Sequence, residues 1–306
     1  MTDHVLARAR ASGRRHRALG LVMAVTVACT ATALTGGPSA GAALPPVSDY
    51  GAAGPYQVTS VDAGAHIIFY PTTVATDGVD HPIILWGNGT SATPSVYAGL
   101  LRHFASHGFI VAAAETTNAG SGQEMLAGIA AVQANPTLAA GADFDNVGAT
   151  GHSQGGYGAT RTGLDSRVDT VFPIEPGPTR NTGSLTIPAI FFAGEADTIV
   201  RPSYVRSEYA GATQVPAAYA ELADATHFTA VGNAGGFRSA ATAWARWQLA
   251  HDQSAAALFA GTTPDLADDP AWSAYESNAR LRALDGGSGP DPEPEPECEW
   301  WEWWCD

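Results

Sequence analysis

The residues best suited to chemistry lie in the segment Gly151-His152-Ser153-Gln154-Gly155. A run of β-compatible residues leads into this segment, and helix-compatible residues follow it. A serine hydroxyl becomes a useful nucleophile when a sharp strand-to-helix turn holds it away from the backbone, and flanking glycines permit that crowded geometry. The pattern is short enough to occur by chance, so it predicts a serine nucleophile only if partners for Ser153 lie elsewhere in the chain.

Two further residues could complete such a site. Asp197 and His227 each come just after a predicted strand, as Ser153 does. His227 would accept the Ser153 proton and later return a proton to the leaving group, while Asp197 would fix the histidine tautomer and stabilise the imidazolium. The order Ser, Asp, His is that of α/β-hydrolases. The alternatives are a structural histidine and a helix-capping aspartate.

Two other acids compete with Asp197 for the role of orienting His227. Asp224 is close to His227 in sequence, and this short separation disfavours it. Glu175 ends the preceding predicted strand and stays open as an alternative. We interpret His152 as a structural residue of the turn, because a second base beside the nucleophile is not needed.

Two backbone amides are needed to stabilise the negative charge that develops on a substrate oxygen during the reaction. We assign one to Gln154, at the start of the helix after the turn. We assign the other to Asn88, within one residue, because the loop Gly87-Asn88-Gly89 follows an early strand and its glycines let the backbone face a site. The alternative is an ordinary glycine-rich turn.

Apolar runs alternate with helical patterns along the chain, and this alternation predicts the elements that hold these residues. Strands are predicted at 58–61, 67–70, 82–86, 109–114, 145–150, 168–174, 189–193 and 218–222. Helices are predicted from 94, 121, 154, 202 and 237. Strands that are apolar on both faces predict an α/β fold with a mostly parallel central sheet of about eight strands and helices on both faces. Sites in such sheets form at the carboxyl ends of strands.

The chain divides into three predicted parts. Residues 1–43 resemble a secretory signal, because arginines precede an apolar run and small residues follow it. Residues 44–285 form the catalytic domain, and residues 286–306 form a Pro/acidic linker with a Trp-rich tail. A membrane anchor, a twin-arginine signal at Arg14-Arg15 and a lipoprotein signal at Cys29 are weaker interpretations. We therefore expect a secreted, extracellular protein without a membrane span.

The charge of the mature chain limits its partners. The whole chain has 15 basic and 30 acidic residues. Loss of residues 1–43 removes five arginines and Asp3, which leaves 10 basic and 29 acidic residues, a formal charge of about −19. Such a surface disfavours nucleic acids and anionic membranes as partners.

The tail combines a spacer with a small cluster of indoles. After cleavage of the signal only Cys298 and Cys305 remain, and an even pair in an exported protein predicts a disulfide. Four Trp lie between these cysteines. The segment would either pack on the domain or act as an adhesive loop for an insoluble substrate or the cell envelope.

Several blocks of the chain resemble bacterial cutinase-like polyester hydrolases, including polyethylene terephthalate hydrolases, and the wider dienelactone-hydrolase-like branch. The blocks lie at 104–111, 151–156, 187–190, 196–199 and 221–228. The resemblance implies an α/β-hydrolase fold and ester hydrolysis by Ser153, Asp197 and His227, with neither cofactor nor metal. It departs from the dienelactone hydrolases proper, which use a cysteine nucleophile.

Three differences between this chain and the polyester hydrolases bear on its substrate. Polyester hydrolases usually carry Met at the position of Gln154, an aromatic residue near Asn88, and a Trp in the loop that here reads 174–178. A cleft without those aromatic walls would hold a flat ring less well. We therefore expect a carboxylic ester hydrolase acting on a small-molecule ester or a polyester. Lipase or perhydrolase activity on the same fold and a non-catalytic exported binding protein are the alternatives.

Overall fold

The computed structural model describes residues 42–179 and 181–284. Nearly all of the predicted signal, the tail and the predicted Cys298–Cys305 disulfide lie outside the described residues. Within them, nine strands form one sheet. The strands are β1 (Val58–Asp62), β2 (His66–Pro71), β3 (His81–Gly87), β4 (Ile110–Ala114), β5 (Ala142–Gly151), β6 (Thr170–Val171), β7 (Ala189–Gly194), β8 (Ala217–Leu222) and β9 (Trp272–Ser277).

The strands follow the order β1-β2-β4-β3-β5-β6-β7-β8-β9 across the sheet. Neighbouring strands from β4 to β8 are parallel. The strands β1, β2 and β9 at the two edges pair antiparallel. The predicted mostly parallel α/β sheet is confirmed, with nine strands where about eight were expected.

Helices connect the strands and cover both faces of the sheet. They are α1 (Ala98–Ser106), α2 (Gln123–Gln133), α3 (Pro136–Ala139), α4 (Gln154–Thr162), α5 (Pro202–Gly211), α6 (Phe237–Ala250), α7 (Asp265–Asp268) and α8 (Ala279–Arg282). Short 3-10 turns lie at Pro94–Tyr97, Thr182–Ser184 and Gln253–Leu258.

Strand β3 shows why the sheet is buried on both sides. Successive side chains of a strand point to opposite faces. Ile84 and Trp86 belong to the apolar cluster packed against α1 and α6, whereas Ile83 and Leu85 belong to the cluster packed against α2 and α5. All four are fully buried. The rigid centre of the sheet thus holds the ends of the strands in fixed positions.

Two local predictions differ from the structure. The strand predicted at 168–174 keeps a regular ladder only over β6, with an isolated bridge at Ile174, because Pro173 has no N–H to donate. The helix predicted to begin at Ser121 has Gly122 as its N-cap, with φ of 77°. The Ser121 hydroxyl donates directly to the Glu124 carboxylate instead.

None of the described helices is both long and apolar enough to cross a membrane.

Candidate active site

Ser153 lies on a sharp turn between β5 and α4. Its φ is 55° and its ψ is −116°, a strained conformation for a residue with a side chain, costing about 1–3 kcal/mol. The glycines on either side make the turn feasible. A Cβ on Gly155 would lie 2.0 Å from the Gly87 carbonyl oxygen, and one on Gly151 would lie 2.5 Å from it. The predicted strand–turn–helix context of Ser153 is therefore present.

His227 contacts both other residues of the predicted triad. Its Nε2 lies 2.9 Å from Ser153 Oγ, and its Nδ1 lies 2.7 Å from Asp197 Oδ2. The carboxylate accepts the Nδ1 proton, which leaves Nε2 free to accept the proton of the serine hydroxyl. His227 is buried and follows β8, while Asp197 is buried and follows β7. The structure thus brings these three residues together at the carboxyl end of the sheet.

The loop after β7 holds the Asp197 carboxylate in place. Its Oδ1 accepts the backbone N–H groups of Ile199 at 2.7 Å and Val200 at 2.9 Å. With Oδ1 fixed in this way, Oδ2 is directed at the histidine. Asp224 is different, since it is exposed and its amide N–H donates to Glu195.

Glu175 lies close to the same histidine but does not replace Asp197. Its Oε2 is 4.0 Å from His227 Nδ1, beyond hydrogen-bonding distance, and 3.3 Å from His152 Nε2. The carboxyl is fully buried, and neither oxygen has a hydrogen-bond partner of good geometry among the described residues. Its backbone φ is 46°. The sequence gives Glu175 only as a rival acid, and the geometry favours Asp197.

Burial determines the protonation states of His152 and Glu175. Desolvation, reinforced by the negative charge of Asp197, raises the pKa of Glu175 to about 8. Desolvation lowers the pKa of His152 to about 4. Although 3.3 Å is an ion-pair distance, both shifts favour uncharged groups. Between pH 4 and 8 this is mainly a contact between a neutral imidazole and a carboxylic acid.

The loop after β3 has two different surfaces. The Asn88 side chain is fully buried, donating to the carbonyl oxygens of Ala114 at 2.7 Å and Thr116 at 3.0 Å. The next two residues, Gly89 and Thr90, line the cleft over Ser153. Gln154 is the first residue of α4, where backbone N–H groups lack partners within the helix. The assignment of the oxyanion amides to Asn88 and Gln154 stays a prediction.

Sequence reasoning missed one polar residue of this region. Tyr97 occurs at helical spacing with core residues and gives no separate signal. Its hydroxyl accepts the Gly89 N–H at 3.2 Å and lies 2.9 Å from His152 Nδ1. Trp86 packs against its ring, with the ring centroids 5.0 Å apart. Tyr97 thereby contacts both the loop after β3 and the residue that precedes the nucleophile.

Ser153 opens into an apolar cleft of about 460 Å³. Its rim carries large apolar side chains that are unusually exposed, with Phe228 at 67% and Ile199 at 56%. Val96 and Val231 extend the same surface. Such a cleft can receive an apolar group next to a polar reacting centre.

The buried side chains His152, Glu175 and His227 could be considered as metal ligands, since one atom from each lies within 4.8 Å of the others. Two of the nitrogens are already engaged, however. His227 Nδ1 bonds Asp197, and His152 Nδ1 bonds Tyr97. His227 Nδ1, which lies 4.0 Å from Glu175 Oε2, could ligate a metal only by giving up its hydrogen bond to Asp197, so the group fits a metal site poorly.

A mostly parallel sheet that carries a serine on a strand-to-helix turn, hydrogen-bonded to a histidine and through it to an aspartate, defines the α/β-hydrolase class. The comparisons with known proteins are narrower. The family model described as PET hydrolase-like matches residues 31–278, and the chain belongs to that family. Membership implies hydrolysis of ester bonds and confirms the resemblance seen in the sequence blocks. No curated protein matches the chain.

Proposed function

We propose that the protein is a serine carboxylic ester hydrolase, with Ser153 as nucleophile, His227 as general base and acid, and Asp197 as the orienting acid. The observation that carries the proposal is the continuous pair of hydrogen bonds from Asp197 through His227 to Ser153, at 2.7 and 2.9 Å. Each distance lies within the range required for proton transfer and orientation.

The proposed reaction has two halves. Ser153 Oγ attacks the ester carbonyl carbon and passes its proton to His227 Nε2, and the resulting oxyanion is held by two backbone amides. Collapse expels the alcohol, which takes the proton from Nε2, and leaves an acyl group on Ser153. A water molecule then gives a proton to Nε2 and attacks the acyl carbon. Ser153 leaves with that proton, and a free acid is released.

The more specific part of the proposal is that the substrate is apolar, and the lining of the cleft supports it. The exposed side chains of Phe228, Ile199, Val96 and Val231 surround the opening next to Ser153. A polyester chain offers repeated ester groups between apolar units, and cutinase-like polyester hydrolysis is the activity that this surface and the family favour. We retain the small-molecule ester as the simpler substrate of the same chemistry.

The predicted location and surface binding belong to the same proposal. Export through residues 1–43 would bring the enzyme to polymers that cannot enter a cell. The Trp-rich tail at 286–306 would then help to adsorb it to an insoluble substrate. Both statements rest on the sequence pattern alone.

Hydrolysis of a short-chain nitrophenyl ester tests the proposed function. We expect turnover by the purified protein and a loss of roughly 10⁴-fold or more in Ser153→Ala. Ser207→Ala is the matched control, because Ser207 is exposed on α5 and outside the cleft lining. Activity of Ser153→Ala within tenfold of the parent, with unchanged circular dichroism, would contradict the assignment of Ser153 as the nucleophile.

A further inference from the structure

The proposed oxyanion site must be built from two separate segments of the chain. One amide would come from the loop after β3 and the other from the turn that carries Ser153; because the Gly89 N–H donates to Tyr97, the loop would contribute a neighbouring amide. The two segments already touch through the backbone, where the His152 N–H donates to the Gly87 carbonyl at 3.1 Å. The loop residues beyond Gly87 need another constraint, because a misplacement of about 1 Å costs roughly 10²-fold in rate.

The Tyr97 hydroxyl supplies a second link between these segments. It accepts the Gly89 N–H at 3.2 Å and lies 2.9 Å from His152 Nδ1. Tyr97 is 1% exposed and packs against Trp86, so its ring has little freedom to move. A rigid phenol that bonds both segments fixes their separation.

The direction of the hydrogen bonds can be assigned. His152 Nδ1 is the one acceptor found for the Tyr97 O–H among the described residues, so the hydroxyl donates to it. The His152 proton then lies on Nε2, which faces Glu175 Oε2 at 3.3 Å. Neither His152 Nε2 nor the Glu175 oxygens have a hydrogen-bond partner of good geometry among the described residues, so the Tyr97 hydroxyl sets the tautomer of His152. The chain of hydrogen bonds therefore runs from Gly89 to Tyr97 to His152.

We propose that Tyr97 is a positioning residue that holds the Gly89 loop against the Ser153 turn, through the hydrogen bonds of its hydroxyl to the Gly89 N–H and to His152 Nδ1. This inference rests on the proposed function, because it assigns the loop a role in stabilising the oxyanion. It adds that a buried residue which touches no reacting atom sets the geometry of that stabilisation.

Tyr97→Phe tests the link directly, because it removes the hydroxyl and keeps the ring. We expect kcat for a soluble nitrophenyl ester to fall roughly ten- to hundredfold with KM within about twofold. The inhibition constant of an alkyl boronic acid, whose tetrahedral adduct places an oxygen in the oxyanion site, should rise in parallel with the loss of kcat/KM. A merely structural role would not move the boronate affinity of the folded enzyme.

Tyr275→Phe is the matched control, because its hydroxyl also makes a hydrogen bond to the backbone, donated to the Phe259 carbonyl at 2.6 Å, but lies outside the cleft lining. It should lower the melting temperature and leave both kinetic constants and boronate affinity unchanged. Tyr97→Phe with kcat and boronate affinity within twofold of the parent would overturn the inference. A loss of kcat without any loss of boronate affinity would overturn it as well.

His152 gives a second test from the other end, which applies even if Tyr97→Phe does not fold. His152→Asn keeps an oxygen near the position of Nδ1 that can accept from the Tyr97 hydroxyl and should retain boronate affinity within about threefold, whereas His152→Leu should lose it as Tyr97→Phe does. Equal affinities of the Asn and Leu variants would contradict the link through His152. Ser153→Ala distinguishes failure of the proposed function from failure of this inference. If Ser153→Ala stays active, the proposed function is wrong. If it is inactive while Tyr97→Phe matches the parent, only the positioning role is wrong.

Discussion

Replacement of Asp197 by Asn tests which acid orients His227. The carboxylate Oδ2 lies 2.7 Å from Nδ1, whereas the nearest oxygen of Glu175 lies 4.0 Å from it. An Asn side chain would keep Oδ1 bonded to the Ile199 and Val200 amides, since the amide oxygen can take that position. The amide nitrogen would then face Nδ1 as a donor.

This arrangement forces the wrong tautomer. A donor opposite Nδ1 requires Nδ1 to accept, which moves the imidazole proton to Nε2, where it faces Ser153 Oγ at 2.9 Å. A protonated Nε2 cannot accept the serine proton. The loss should reach about 10⁴-fold in kcat, which corresponds to about 5.4 kcal/mol of transition-state stabilisation. Glu175→Gln leaves the Asp197–His227 hydrogen bond in place and should cost less than about tenfold.

The assay is initial-rate hydrolysis of a nitrophenyl ester by both variants at the same pH, with circular dichroism to verify folding. The ranking decides the question independently of absolute rates. If Glu175→Gln loses more activity than Asp197→Asn, the assignment of the acid to the loop after β7 is wrong. The acid would then be Glu175, in the segment that follows β6.

Three other outcomes follow from the sequence and the structure. Gly155→Ala should lower the free energy of unfolding by roughly 1–3 kcal/mol or more in urea denaturation, since its Cβ would meet the Gly87 oxygen at 2.0 Å; unchanged stability would refute this close approach. Burial lowers the pKa of His103 from 6.5 to about 4, so between these pH values the unfolded chain binds more protons than the folded one. The free energy of unfolding should therefore fall as the pH drops from about 6.5 to 4. A His103→Gln variant whose free energy of unfolding changes as steeply with pH would contradict the assignment of this effect to His103. Truncation after Leu284 should preserve turnover of a soluble ester and lower adsorption to an insoluble polymer; a lower melting temperature with unchanged adsorption would instead identify the tail as a structural clasp.

The sequence predicted the parts of the fold whose signals are local. Apolar runs marked the parallel strands, and the turn residues around Ser153 marked the strand-to-helix junction. Strand β9 was missed because it follows the last long helix and is only partly buried at the sheet edge, where the apolar pattern is weak. The shortening of β6 depends on Pro173, whose effect appears only when the ladder with β7 is known.

The site was predictable to the same degree. The order of Ser153, Asp197 and His227 along the chain indicated that these three side chains meet, because each follows a strand whose end lies at one edge of the sheet. The contacts of Tyr97 could not be predicted, since they join residues that are 8 and 55 positions apart. Tyr97 also carries the helical spacing of a core residue, so its hydroxyl gave no signal of its own.

The central claim is that Ser153 forms a covalent acyl-enzyme. Rapid quenching of the purified protein with a slowly deacylating nitrophenyl ester, followed by peptide mass spectrometry, would observe that intermediate directly. We expect one acyl group per chain, located on the peptide that contains Ser153 and absent in Ser153→Ala. Ester turnover without acylation of that peptide, or an equal amount of acyl adduct in Ser153→Ala, would contradict the account.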